Sequence, residues 1–359
     1  MCRTSQGGRV SWLLLLGLLA LLSCSAPAVT VWLPAFVPPG SEPSALACPS
    51  PQSCLAVGQG GLVLVSQNNG LSWIPANTGL GASLVNFNLT SVACLSATQC
   101  TIVGNQGLIL SSNNGGQSFS IQNVTTNGNL TFNDVVCQSS GTPSCAIVGD
   151  NNTLLLLASP TSAWAPDLSV LQAPIGPANF DQVFLLGSSI WITASTTSGT
   201  GMNALLYSGD GGNSWALEIV PQALAPQGVS GIGCPASSNC FVDGTGTILE
   251  TTDGGKSWSS VLLGNSGSAG TLPLLTGIYI GPEGTVFAYG NQGALYQVST
   301  LSGGSVSGQV AVPQRLPSGA SQLNLGGMTC SGVSTCYLAG YSLAISGGIF
   351  YSSPNSPPG

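Results

Sequence analysis

Two ladders with a common period run the length of this chain. A short unit repeated this often, at near-constant spacing, buries its apolar face by packing against further copies of itself. The first ladder is a pair of cysteines, usually C-x5-C: Cys48/Cys54, Cys94/Cys100, Cys137/Cys145, Cys234/Cys240 and Cys330/Cys336. Each pair leads into a block such as Val57-Gly-Gln-Gly-Gly-Leu-Val-Leu or Val103-Gly-Asn-Gln-Gly-Leu-Ile-Leu, which reads as strand, two-residue turn, strand. The first cysteines step by 46, 43, 97 and 96 residues, so a cysteine-free repeat is expected inside each doubled gap. Residues 183–191 and 278–287 supply them, and the hairpins then number seven, near residues 48, 94, 137, 186, 234, 281 and 330. In the cysteine-free repeats a short glycine turn joins the strands directly, so each disulfide is expected as a staple on a longer hairpin loop that would otherwise fray.

The second ladder is a box of the form S-x-[DN]-x-G-x-S-[WF]. Four copies are clear, starting at Ser66, Ser112, Ser208 and Thr251, with weaker relatives ending at Trp164 and Val306. Asn68, Asn114, Asp210 and Asp253 hold the polar position, where a side-chain oxygen accepts hydrogen bonds from nearby backbone N–H groups while glycine supplies positive φ for a tight turn. Trp73, Phe119, Trp215 and Trp258 open the strand that follows and pack sideways. Asparagine in two of the four copies and the lack of a second acidic ligand argue for structural turns and against calcium sites, and no metal or other cofactor is expected.

Box ends number six, one short of the hairpins. The missing strand lies at the other end of the chain: Thr30-Val-Trp-Leu-Pro34 matches the strands that follow the boxes, and the C-terminal Gly348-Ile-Phe-Tyr-Ser352 stops before a fourth strand. Residues 30–353 are therefore expected to form one all-β domain, a seven-bladed β-propeller closed by its N-terminal strand, which removes exposed sheet edges. A linear β-solenoid is the alternative. In such a blade the cysteine hairpin joins strands one and two and the box joins strands three and four, so both fall on one face. The links between blades collect on the other. Two of these links are long and proline-bearing, residues 165–181 with Asp167 and Asp181, and residues 307–327 with Arg315, and they are the candidate binding loops.

The N-terminus carries Arg3 and Arg9 and then an apolar run over residues 12–22, too short to span a bilayer, in the layout of a secretory signal. Leu21-Leu22-Ser23-Cys24 resembles a bacterial lipobox, which implies a signal over 1–23, a lipidated Cys24, a short tether over 24–29 and a tail over 354–359; plain cleavage after Ala26-Pro27-Ala28 is the alternative. Of twelve cysteines, Cys2 leaves with the signal, ten pair locally, and Cys24 alone lacks a partner. Export supplies the oxidant for five local disulfides. The mature chain would keep two cations, Lys256 and Arg315, against eleven carboxylates, which argues against nucleic acid and bare anionic lipid as partners. Charged residues are only 4% of the sequence, a scarcity suited to an acidic exterior.

The boxes resemble the Asp-box, or bacterial neuraminidase repeat, and the resemblance covers nearly all of residues 30–353. It implies a propeller and leaves the activity open. A sialidase site of three arginines cannot be assembled from Arg315 alone. With no histidine and no free cysteine beyond Cys24, Ser-His-Asp, Cys-His and His-metal chemistry fall away. The chain is similar in blade number to the exported photosystem II assembly-factor-like scaffolds, but lacks the basic patch that those factors use. The expected function is an exported, membrane-anchored, non-catalytic binding or assembly scaffold for a protein partner, with the membrane reached through the lipid alone. A glycan-binding lectin, a carboxylate glycosidase using two of Asp134, Asp150, Asp181 and Asp243, and a structural envelope protein are the alternatives.

Overall fold

The computed structural model describes residues 32–122, 130–173, 175–196, 203–225, 228–244, 246–263, 274–300, 309–317, 320–332, 335–342 and 347–352. The predicted signal, Cys24, the tether, the box relative ending at Val306, Pro174 and the tail lie outside these residues, as do parts of the 307–327 link.

The described strands fall into seven consecutive four-stranded antiparallel meanders. The fifth and sixth meet edge to edge through short parallel pairing of Leu262 with Val310 and Leu263 with Ala311. The seventh is composite: Asn324–Cys330, Cys336–Tyr341 and Gly348–Ser352 are followed by Trp32–Pro34 from the opposite end of the chain. Trp32 pairs with Ser352, Leu33 with Tyr351 and Pro34 with Phe350, the closure the sequence predicted. The first strands of the seven meanders, Pro43–Ser50, Leu89–Cys94, Phe132–Cys137, Ala178–Leu186, Val229–Ala236, Leu275–Ile280 and Asn324–Cys330, pack each against the next, and the last packs against the first. The result is a ring of sheets around a central channel.

Apolar clusters fill the gaps between neighbouring sheets. Leu46, Leu64 and Trp73 of the first sheet, for example, bury against Tyr337, Ala339 and Ile349 of the seventh. The glycine that recurs at the end of the second strand, after valine in three sheets and after Tyr289 in the sixth, has a steric cause: a Cβ on Gly58, Gly104, Gly149 or Gly290 would lie 2.0–2.5 Å from a carbonyl oxygen of the preceding link, too close for any side chain. The turn that follows is longer than the expected two residues, with Gln59–Gly61 and Asn291–Gly293 each forming a short 3-10 turn.

All five cysteine pairs are joined, each within one hairpin. Cys94/Cys100, Cys137/Cys145 and Cys330/Cys336 lie directly opposite each other in register. Cys48/Cys54 and Cys234/Cys240 differ. The first sheet shifts register between Ala47 and Ser50 and the fifth between Gly233 and Ala236, so these two bridges sit at an irregularity of the ladder. Pairing then resumes beyond them, Ser50 with Ser53 and Ala236 with Asn239, and ends in a tight turn. The expected role of the cysteines as staples on longer, fraying loops is therefore corrected at Cys54 and Cys240. Both are 0% exposed and belong to the core between sheets, Cys54 among Leu46, Trp73 and Tyr337, and Cys240 among Trp191, Val242 and Trp258. The reason is topological: each stands at the start of a second strand, Ser53–Gly58 or Asn239–Gly244, which has a paired strand on both sides and neighbouring sheets over its faces. Their sulfurs fill core volume as well as cross-linking the hairpin.

Candidate functional site

The two faces of the ring differ in how their polar groups are used. On the box face each clear box closes on itself. The Ser66 hydroxyl donates to Asn68 Oδ1 at 3.0 Å and accepts from Gly70 N–H at 3.0 Å, while Asn68 Oδ1 accepts from Ser72 N–H at 3.0 Å. The boxes at Ser112, Ser208 and Thr251 repeat this pattern with distances of 2.8–3.0 Å. The box glycine is in the left-handed region and abuts the preceding sheet: a Cβ on Gly70 would strike the Tyr337 ring and one on Gly116 would strike Leu55. Glycines within the boxes also donate to the hairpins of their own sheet: Gly115 N–H to Thr98 O at 2.9 Å and Gly254 N–H to Ser238 O at 3.0 Å. Hydrogen bonds from the hydroxyl and amide of Ser214 hold Asp210 down at about 2, and those of Ser257 do the same for Asp253. These carboxylates are committed to their turns.

The opposite face carries the links and, at its centre, the mouth of the channel. Every first strand bears a β-bulge at the same place, just inside the link: register shifts between Pro43/Ala45, Leu89/Ser91, Phe132/Asp134, Phe180/Gln182, Val229/Ile232, Leu275/Gly277 and Leu325/Gly327. A bulge re-aims two successive side chains. At its first position Ser44, Thr90, Asn133, Ser230 and Thr276 each donate to a carbonyl of the next sheet: Leu89, Phe132, Phe180, Leu275 and Leu325, at 2.5–3.3 Å. These bonds stitch sheet to sheet around the mouth. In the fourth sheet the position is Asp181, and Thr193 of the second strand makes the crossing bond instead, to Ser230 O at 2.8 Å. Asp181 accepts from Ser195 Oγ at 3.1 Å. Burial, with Asp150 adding like-charge repulsion, pushes Asp181 up to about 6.

The second bulge position turns into the channel, a cavity of about 440 Å³ lined by Ser91, Asp134, Gln182 and Tyr289 among others. Asp134 bridges three sheets, accepting from Ser91 Oγ at 2.8 Å and from Val183 N–H at 3.1 Å, and burial raises its pKa above the usual carboxylate range. In the fifth and sixth sheets this position is Gly231 and Gly277, and side chains from the second strands fill the space a side chain there would need. A Cβ on Gly231 would face the sixth sheet, 2.7 Å from Ile278 N and 2.9 Å from Asp243 Oδ2, so Asp243 lies between the two sheets behind the channel wall, whereas the Tyr289 ring, within 2.4 Å of a Cβ on Gly277, lines the cavity. Asp243 Oδ1 accepts from Ser230 Oγ, from Ser230 N–H and from Gly231 N–H, at 2.5–3.2 Å. Its Oδ2 is buried and has no hydrogen-bond partner. Burial carries Asp243 up to about 6 and Tyr289, whose hydroxyl also meets Gln182, far above its ordinary value.

The candidate loop residues are thereby separated in role. Asp167 Oδ1 accepts from Ser169 N–H at 2.9 Å and Ser169 Oγ at 2.6 Å, and Ser169 Oγ accepts from Trp215 Nε1 at 3.1 Å, so Asp167 anchors its link to the next sheet and is not a free recognition group. Arg315 is exposed, and its carbonyl accepts from Trp32 N–H at 3.4 Å, tying that link to the closing strand. Asp181 alone of the three lines the channel, together with Asp134, while Asp150 acts on Asp181 as a like charge and Asp243 is buried behind the wall. Sequence reasoning had placed these four acids only near blade loops. The signal that would have gathered Asp134 and Asp181 is the bulge itself, a polar or glycine pair recurring with the period of the sheets.

No protein-family model and no curated protein matches the sequence. Solved structures do. YCF48 from Cyanidioschyzon merolae is 16% identical, with 92% of this chain and 100% of that chain covered and a TM-score of 0.66. YCF48 bound to D1 peptide is 14% identical, with 92% and 100% covered and a TM-score of 0.65. The WD40 repeats of RRP9 are 8% identical, with 90% and 98% covered and a TM-score of 0.65. Likeness at such identity establishes the fold, a β-propeller.

Proposed function

We propose that this chain is a seven-bladed propeller of the Asp-box type, exported and anchored through a lipid on Cys24, which serves as a non-catalytic scaffold and binds a protein partner on its link face. The observation that carries this reading is the contrast between the two faces. The box face spends its polar groups on its own turns, whereas the link face gathers uncompensated carboxylates at the channel mouth. The links carry the exposed apolar residues Val85, Leu168, Leu171, Ile219 and Leu274. Large apolar side chains on loops held by a rigid frame are the usual material of recognition. The propeller neighbour bound to D1 peptide supports a peptide or protein ligand as the kind of partner. A carboxylate glycosidase is the second reading, favoured by the convergence of Asp134, Asp150 and Asp181 at one mouth.

Photo-crosslinking residues placed at Leu168 and Val85, and at Ser257 on the box face, test the proposal in cells. Protein adducts at the first two positions and none at the third are expected; adducts at Ser257 alone overturn it. Cys24→Ala should release the protein into the medium. Hydrolysis of aryl glycosides by the wild type, abolished in Asp134→Asn or Asp181→Asn, would establish the second reading in its place.

A further inference from the structure

The third sheet departs from the pattern of the box face. Its box relative runs from Leu157 to Trp164, and the register fixes the alignment: Leu157 stands opposite Cys145 as Ser66 stands opposite Cys54 and Ser112 opposite Cys100. Leu157 therefore takes the place of the box hydroxyl and Thr161 that of the box glycine. In the clear boxes that glycine abuts a large side chain of the preceding sheet: Cβ atoms on Gly70, Gly116 and Gly255 would stand 2.0–3.0 Å from Tyr337, Leu55 and Trp191. The second sheet presents no such bulk to the third, because Thr101 follows Cys100 where Leu55 follows Cys54 and Tyr337 follows Cys336. A cavity of about 250 Å³ lies between the second and third sheets at this place, lined by Thr101 and Trp164 and bordered by the exposed Asn113 and Ser162.

No charged side chain lines this cavity; its polar groups are amides, among them Gln99, Asn113 and Gln122, and hydroxyls, among them Thr101 and Ser111. The side chains of Gln99, Thr101, Ser111 and Asn113 make no hydrogen bond among the described residues, so their donors and acceptors are uncommitted. Trp164 packs against the core between the two sheets but is only half-buried, whereas Trp73 of the first box is 0% exposed. Trp73 and Trp215 donate their indole N–H to the carbonyl of their own box glycine at 3.0 and 3.1 Å, a bond that Trp164 lacks. An aromatic wall beside uncharged amides and hydroxyls, each amide and hydroxyl able both to donate and to accept, matches a ring with an apolar C–H face and hydroxyls around its edge. An ionised ligand would lose its hydration there with no countercharge in return. We propose that this cleft binds one neutral pyranose ring, with Trp164 as the platform and Gln99, Thr101, Asn113 and Gln122 as partners of the sugar hydroxyls. The site lies away from the link face and does not depend on the scaffold reading. The ring could arrive as a free sugar or as a unit of a glycan chain.

Saturation-transfer NMR on the purified, disulfide-intact chain tests the inference, with the methyl glycosides of glucose, galactose, mannose and N-acetylglucosamine as probes and methyl glucuronide and blocked Gly-Gln-Gly beside them. Saturable binding of at least one neutral glycoside is expected, with none of the glucuronide or the peptide. Trp164→Ala should weaken it at least tenfold. Thr101→Leu, which gives the second sheet the residue that the first carries as Leu55, should fill the cavity and weaken binding as much without lowering the melting temperature, and it decides the matter if Trp164→Ala fails to fold. Gln117→Ala, exposed on the neighbouring box and outside the cavity, should leave affinity unchanged. Tighter binding of the trisaccharide of the same sugar assigns the ring to a glycan chain, and equal affinity assigns it to a free sugar; both support the site. No saturable binding of any of the four neutral glycosides overturns the inference. Undiminished binding in Thr101→Leu overturns it too, since the sugar would then sit elsewhere, as would binding of the peptide in place of the glycosides, which would give the cleft to a polypeptide amide.

Discussion

At the scale of single residues the carboxylates of this protein fall into two populations with opposite dependence on pH. Asp181 and Asp243 hold their protons more tightly in the folded chain, at about 6 against an ordinary 3.8, burial being the main cause in both. Their contribution to stability is therefore complete below about pH 4 and is lost as pH rises through about 6. Asp210 and Asp253, held at about 2 by the serines of their boxes, act in the other direction: their contribution is present above about pH 4 and is lost as pH falls through about 2. The box carboxylates are exposed and screened, so the buried pair should dominate between pH 4 and 7. A tenfold change in proton affinity is worth about 1.4 kcal/mol. Moving Asp243 from 3.8 to about 6 is a little over two such factors, so ionising it costs the folded state about 3 kcal/mol at neutral pH. Asp243→Asn, which cannot ionise, should raise the melting temperature at pH 7 and change it little at pH 4. Equal shifts at the two pH values would show that burial of the charge is not what sets the stability here.

At the scale of the element, the turns were the most legible part of the sequence and the bulges the least. A box needs several residue types in fixed order, because hydroxyl, carbonyl or carboxylate, glycine and aromatic each have a separate task, and such a pattern stands out against composition. Gly70 and Gly116 satisfy two demands together, a left-handed φ and contact with the preceding sheet, and no other residue meets both. The cysteine spacing likewise revealed the pairing, but not that Cys54 and Cys240 are core residues, since burial depends on sheets that lie elsewhere in the chain. The bulge ring asks much less of any one position. Ser44, Thr90, Asn133 and Ser230 need only a donor of suitable reach, so residue types that occur everywhere in this chain perform one task, and only their alignment in the fold exposes it. Asp243 and Tyr289 of the second strands were hidden for a further reason, since the space they occupy is left by glycines in a neighbouring strand. The box makes a direct prediction. Ser208→Ala removes the acceptor of the buried Gly212 N–H and the donor to Asp210, and should cost about 1–3 kcal/mol, the usual penalty for an unpaired buried group. Chemical denaturation would measure it, and Asp210 should titrate closer to an ordinary carboxylate in the variant. An unchanged midpoint would mean that the glycine contacts alone set the turn.

At the scale of the whole molecule, closure rests on three residues at the N-terminal end of the described chain. The seventh sheet takes three strands from the C-terminus and one, Trp32–Pro34, from the N-terminus, so the two ends of the chain are joined by hydrogen bonds and not by sequence. Trp32 is 2% exposed and packs with Leu338 and Phe350 of the seventh sheet and Phe287 of the sixth, which makes it a clasp between sheets as well as a strand residue. Removing a buried tryptophan side chain costs about 3–5 kcal/mol. In a ring that cost should not stay local, because an unclasped seventh sheet presents Gly348–Ser352 as a free edge and loosens the support of the first and sixth sheets. Trp32→Ala should therefore lower the denaturation midpoint and speed amide exchange first in Cys336–Tyr341 and Gly348–Ser352. The third sheet, Phe132–Cys137 and its partners, should keep its protection until global unfolding. A permuted chain carrying residues 32–34 behind residue 352 through a turn as long as the boxes should recover the wild-type midpoint, since the strand then closes the same sheet through the covalent chain. An unchanged midpoint and unchanged exchange in Trp32→Ala would mean that the ring does not depend on this clasp and that the innermost strands, with their bulges and crossing hydrogen bonds, hold it closed on their own.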